Sequence, residues 1–128
     1  IRGTLFLGYP PGYSSILLAM DVVHEMGHQA LSILLSADPI FISDPDQPVY
    51  SEIRHTERPA IQSLHAAAAI AYMVHLIKDA GCPQQRHPDC PDDLSETLLR
   101  AVTILNNECQ FTEVGKQILS DFNATALR

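Results

Sequence analysis

At 128 residues the chain is long enough for one hydrophobic core and too short for two. Hydrophobic residues make up 46% and charged residues 18%, the balance of a folded domain rather than a disordered segment. Eight basic residues against fifteen acidic ones leave a formal charge of −7, which excludes a sequence-independent grip on nucleic acid phosphates.

Thr4 to Leu7, β-branched and apolar after Gly3, predict a short strand that ends in the turn-forming run Gly8-Tyr9-Pro10-Pro11-Gly12. Ser14-Ser15 then caps a helix expected from about Ser15 to Ala37, stopped before Pro39 because proline pushes its predecessor out of helical geometry. Along it Ile16, Leu17, Met20, Val23, Gly27, Leu31 and Leu34 recur at three- and four-residue steps, the pattern of a buried face. Pro39-Ile40-Phe41-Ile42-Ser43 predicts a second short strand, and Asp44 to Arg58, with mixed charges and no steady period, reads as an ordered loop.

Pro59 suits the first turn of a second helix, since its missing N–H is one the helix would leave unpaired anyway. This helix continues through Ala66-Ala67-Ala68-Ala69 to about Asp79 and closes at Gly81; the four alanines let another helix backbone approach closely. Gly81 to Pro91 holds Pro83, Pro88 and Pro91 and is a connector. Asp92 or Asp93 caps a third helix with Leu94, Leu98, Ala101, Val102 and Leu105 on one face. Thr112 caps a last helix to about Ala126, with Val114, Ile118, Leu119 and Phe122 turned inward. The expected fold class is mainly α with minor β: one small domain of about four helices around the first, with one or two short strands near the N-terminus.

No apolar run reaches the roughly 20 residues of a membrane span, and no charged-then-apolar leader opens the chain, so a cytoplasmic protein without a membrane partner is expected. Three cysteines, an odd number, fit a reducing compartment better than a closed disulfide framework. Because the first residue is Ile1 rather than methionine, the chain reads as a processed or excised piece of something longer.

The chemistry centres on His24-Glu25-Met26-Gly27-His28. Histidines four residues apart lie on one helix face, one turn from each other, where two neutral ring nitrogens can grip a single divalent metal. The alternative is a metal-free pair facing solvent or a polar pocket. A catalytic metal needs a further ligand. The extended peptidase pattern is excluded, because Leu31 stands where its glycine would be and Leu34 where its third histidine would be. His65, early on the second helix and just before the alanine run, is the first choice; otherwise it is a histidine bonded within a helix interface. Glu57 and Glu52 come next, His55 and His75 after them. Cys82, His87 and Cys90 gather in one loop, either as part of a second metal site or as plain surface.

Beyond the metal helix stand Tyr50-Ser51-Glu52-Ile53-Arg54-His55-Thr56-Glu57-Arg58-Pro59 and Leu64-His65-Ala66. Together with Gly3-Thr4 and Val23 to Leu31, these resemble the HExxH-motif family of peptide-modification proteins, over about Gly3 to Tyr72. The most specific part of the likeness is Tyr50, Arg54, Arg58 and Pro59; Ile53 and Glu57 stand where members often carry tryptophan and proline. Members with an assigned activity are similar to iron- and 2-oxoglutarate-dependent peptide β-hydroxylases that mature ribosomally made peptides. The resemblance implies Fe(II) on His24, His28 and a third residue, 2-oxoglutarate as cosubstrate and a peptide as substrate. Arginine holds a carboxylate bidentately, which makes Arg54 and Arg58 the candidates for the distal carboxylate of 2-oxoglutarate, unless they pair with neighbouring acids. Tyr50 and Glu57 are candidates for orienting substrate or supporting the site.

Two mechanisms are open on this scaffold. In the favoured one Glu25 steadies a ligand of the iron. In the other the same histidines hold Zn(II) and Glu25 is the general base of a metallopeptidase. The apolar faces of the two terminal helices are expected to buttress the core or to support a homodimer.

Overall fold

The computed structural model describes residues 4, 7–9, 11–82, 87 and 92–128. Among these residues four helices and one hairpin follow in the order α1 (Ser15–Ala37), β1 (Pro48–Ser51), β2 (Thr56–Pro59), α2 (Ala60–Asp79), α3 (Leu94–Glu108) and α4 (Glu113–Leu127). The class is the expected one, mainly α with minor β in a small single domain.

Each helix starts where a local acceptor satisfies its first free N–H groups. Ser14, Asp93 and Thr112 accept from Leu17, Glu96 and Gly115 through their side chains. Pro59 has no side chain to offer, and loop carbonyls do the work instead: Gln47 O accepts from Ala60 N and Pro45 O from Ile61 N. α2 ends in a Schellman motif, with Gly81 N bonded to Lys78 O, Cys82 N to Ile77 O, and Gly81 in the left-handed region at φ +67°.

α2 is the centre of the core. Leu64, Ala67, Ala69, Val74 and Ile77 are buried on it, and α1, α3, α4 and the hairpin all pack against it. By length and composition it is apolar enough to cross a membrane, although Gln62, His65, His75 and Lys78 interrupt its run; most of it is covered by the rest of the domain. On the opposite side α3 contributes Leu94, Leu98, Val102 and Leu105, and α4 contributes Ile118 and Leu119.

The β structure is not where it was expected. The loop read over Asp44 to Arg58 contains the hairpin, in antiparallel register from Pro48↔Pro59 to Ser51↔Thr56. Strands of four residues are too short to display a period of two. Prolines at both ends, which supply no N–H to the ladder, suggest a loop although strand ends tolerate them. The strand expected over Pro39 to Ser43 reduces to the single bridge Phe41↔Phe111. Its polar groups go elsewhere: Ile42 N and Ser43 N bond Gln110 O, while Ile40 O accepts from Thr112 N. The strand expected over Thr4 to Leu7 lies, at Leu5 and Phe6, outside the described residues. Most of the 81–91 connector lies outside them too.

Two inward assignments are also corrected. Leu34 is exposed and its neighbour Leu35 packs on the core; Val114 is exposed, and Gly115 is buried against Ile40 O. The rest of each face lies as expected, with Met20, Gly27 and Leu31 of α1 and Ile118 and Leu119 of α4 buried; packing decides only between adjacent apolar positions at the helix ends.

The close approach of α1 to α2 is at Gly27. A Cβ placed there would stand 2.9 Å from Ala68 O and 2.9 Å from Ala69 Cα. The alanine run thus does bring the α2 backbone against α1. Replacing glycine by alanine inside a helix ordinarily gains up to about 1 kcal/mol. Here the obstacle is backbone, which cannot swing aside, and overpacking costs of about 1–3 kcal/mol prevail. Gly27→Ala is expected to lower stability by about that amount in denaturant unfolding, with the exposed α1 substitution Ser32→Ala staying within about 0.5 kcal/mol of the wild type.

Candidate metal centre

A cavity of about 770 Å³ opens where α1, α2 and the hairpin meet. α1 supplies Asp21, His24, Glu25 and His28 to its wall, successive positions at three- and four-residue steps on one helix face. α2 supplies Gln62, His65, Ala66, Ile70 and Met73. The hairpin adds Ser51, Ile53, Arg54 and Arg58, and His87 completes one side.

The paired histidines of α1 face each other as the spacing requires, with His24 Nε2 3.1 Å from His28 Nε2 and the rings edge to face. Two nitrogens bound to one zinc at the usual bond length stand roughly 3.0–3.4 Å apart. The pair is therefore spaced as two ligands of a single ion. Glu25 Oε1 lies 4.0 Å from His24 Nε2, on the same side.

His65 reaches the site from α2 but meets the other edge of His28: His65 Nδ1 is 3.3 Å from His28 Nδ1. The two nitrogens of one imidazole point to different sides of its ring. His24 and His65 therefore bracket His28 rather than sharing an open point with it. Among the described residues no three His, Cys, Asp or Glu side chains converge as a ready metal cage.

Burial holds the His28 pKa below its ordinary value of 6.5; the neighbouring imidazoles of His24 and His65 reinforce this and Glu25 opposes it. Burial lowers His65 in the same way. Both rings are thus neutral at pH 7, the form a metal needs.

The arginines stand as a pair of unneutralised cations. Arg58 directs Nε and Nη2 to Gln62 Oε1, a neutral acceptor. Arg54 is exposed, with its backbone N–H bonded to Ser51 Oγ. Neither guanidinium is matched by a carboxylate among the described residues.

Other candidates fall away from the cavity. Tyr50 and Glu57 pair across the hairpin on the face opposite Val49 and Ser51, and Tyr50 OH meets His55 Nδ1 at 3.3 Å. Glu52 is bound by Arg100 Nε at 3.1 Å. His75 lies on another face of α2, beside Asp79 and Arg128.

One pair was not anticipated. Asp21 Oδ1 accepts from His87 Nε2 at 2.7 Å, with the His87 side chain only 7% exposed. The spacing of Asp21, one turn before His24, marks it on the motif's face. The contact itself joins positions 66 residues apart, which no local pattern reveals. His87 was grouped by sequence with Cys82 and Cys90; Cys90 lies outside the described residues.

No protein-family model, curated protein or solved structure matches the chain.

A depressed histidine pKa ties stability to pH with a definite sign. Below about 6.5 the unfolded chain binds protons at positions 28 and 65 that the folded chain refuses, so stability falls as pH falls through that value toward the lowered folded pKa values. Denaturant midpoints of metal-free protein between pH 7 and pH 5 are expected to decline, and to decline less steeply in His28→Gln.

Proposed function

We propose that the chain is a metal-dependent enzyme acting on peptides, and that its reaction is Fe(II)- and 2-oxoglutarate-dependent β-hydroxylation of a peptide side chain. The observation that carries this reading is the conjunction, in one cavity, of a ligand-spaced histidine pair with two arginines that lack carboxylate partners among the described residues. In a chain with fifteen acidic residues, cations left unmatched beside neutral imidazoles call for an anionic guest.

His24 and His28, whose Nε2 atoms stand 3.1 Å apart, would hold the metal. Iron(II), when bound with 2-oxoglutarate and O2, supplies the oxidising power that an unactivated C–H bond requires, and the products are succinate, CO2 and the hydroxylated side chain. The chain's own residues fix positions. Gln62 holds the Arg58 fork so that it can meet a carboxylate, and Arg54 adds a second cation at the rim. Ile53, Ala66, Ile70 and Met73 give the cavity an apolar wall that limits water near the reacting carbon. Glu25 Oε1, 4.0 Å from His24 Nε2, is placed to accept a hydrogen bond from a group held beside that ring. The volume suits a small dicarboxylate together with one peptide side chain.

The position of Glu25 also favours a second reading, a zinc metallopeptidase. Its carboxylate is close enough to the histidine pair to take a proton from a water standing there.

Protein purified without oxygen and loaded with Fe(II) is expected to release succinate only when 2-oxoglutarate, O2 and peptide are all present. Arg54→Ala and Arg58→Ala should each raise KM for 2-oxoglutarate by about 10- to 100-fold, the worth of a charge-assisted hydrogen bond. Peptide cleavage by the zinc-loaded protein without 2-oxoglutarate, abolished by Glu25→Ala with metal retained, would overturn hydroxylation in favour of the peptidase.

A further inference from the structure

The two edges of His28 have different neighbours, and this decides how its proton can be placed. A neutral imidazole carries one N–H and one lone pair. With the proton on Nε2, His28 donates to His24 Nε2 and its Nδ1 accepts from His65. With the proton on Nδ1, His28 donates to His65 Nδ1; its Nε2 lone pair then accepts from His24 Nε2–H or, when His24 carries its own proton on Nδ1, faces the His24 Nε2 lone pair across 3.1 Å. Two such lone pairs repel unless a cation lies between them. This last arrangement is therefore the one that binds a metal, and it requires an acceptor behind His28.

We propose that His65 is that acceptor, a positioning residue that takes the Nδ1 proton of His28 and so fixes the ring and tautomer in which His24 and His28 present Nε2 to one divalent cation. This assigns His65 a place behind the ligands rather than among them, and it rests on the metal reading given above. A histidine ligand ordinarily donates its second N–H to a fixed acceptor. Among the described residues no carboxylate is bonded to His28 Nδ1. Glu52 is engaged by Arg100, Glu57 is on the outer face of the hairpin, and Asp21 is engaged by His87.

The backbone explains why an imidazole serves. His65, Ala68 and Ala69 share one face of α2 at three- and four-residue steps, and Gly27, next to His28, lies against Ala68 and Ala69. That close contact brings the two histidines within 3.3 Å. With a metal held by His24 and His28, the His28 proton would stand on Nδ1 and the His65 proton on Nε2. No net proton leaves these two rings.

Zn(II) titration of the full chain, read by competition with a chromophoric chelator, tests the assignment together with imidazole ¹⁵N spectra of the wild-type protein. His24→Ala and His28→Ala are expected to remove binding. His65→Leu should weaken it by about 10- to 100-fold, and His65→Asn, whose Oδ1 replaces the accepting nitrogen, should recover most of the loss. The spectra should show metal-shifted Nε2 signals for His24 and His28 only, with His65 in its Nε2–H form. A metal-shifted His65 nitrogen, or His65→Leu binding as tightly as wild type, overturns the positioning role while leaving the metal site standing. Equal binding by His24→Ala and wild type overturns both, and is distinguishable for that reason.

Discussion

The arrangement depends on one backbone contact, that of Gly27 with Ala68 and Ala69. Helix axes packed through ordinary side chains stand about 8–10 Å apart. Removing the Cβ at position 27, and opposing it with a face of methyl groups, lets α1 and α2 come closer than a larger residue would permit. The histidines on either side of this contact inherit the spacing. His28 is the next residue after Gly27, and His65 is one turn before Ala68. Their 3.3 Å approach follows from main-chain geometry rather than from long, adjustable side chains.

The same proximity governs the electrostatics. Burying His28 between two other imidazoles makes its charged form unfavourable twice over, through lost hydration and through like charges. The neutral rings of His28 and His65 add no positive charge to the cavity, whose wall also carries Arg54 and Arg58. Asp21 is directed by His87, which keeps its negative charge hydrogen-bonded at the far end of the α1 face. Acid and base are thus distributed unevenly along one wall, with Asp21 and Glu25 on α1 and the two cations on the hairpin.

Much of this was legible in the sequence, and for local reasons. The caps at Ser14, Asp93 and Thr112, the stop at Gly81 and the alanine run all act within a few residues of themselves, so a linear reading captures them. The hairpin was not legible, because its two four-residue strands are specified mainly by what they pack on: Val49 and Ser51 turn inward, and Glu52 is held by Arg100 some 48 residues away. The histidine spacing announced the pair on α1, yet which nitrogen of His28 meets which neighbour depends on rotamers set by the α1–α2 contact. The His87–Asp21 bond is invisible for the same reason as the hairpin, since only the folded chain joins its ends.

The terminal helices α3 and α4 anchor the elements that line the cavity. Arg100 of α3 reaches Glu52 in the turn that carries Ile53 and Arg54, with Asp92 and Glu96 also within 4 Å of its guanidinium. The turn is constrained as well by His55 at φ +54°, a left-handed conformation that a non-glycine residue adopts only under local compulsion. On the other side, Lys78 Nζ gathers the carbonyls of Thr125, Ala126 and Arg128 at the end of α4, while Thr112 at its start bonds Pro39 O and Ile40 O just beyond α1. α3 therefore fixes the arginine-bearing arm, and α4 ties the end of α2 to the segment following α1. A cavity whose two chemistries sit on separate elements needs both elements anchored to keep its width, and the terminal helices provide that anchorage from outside the motif.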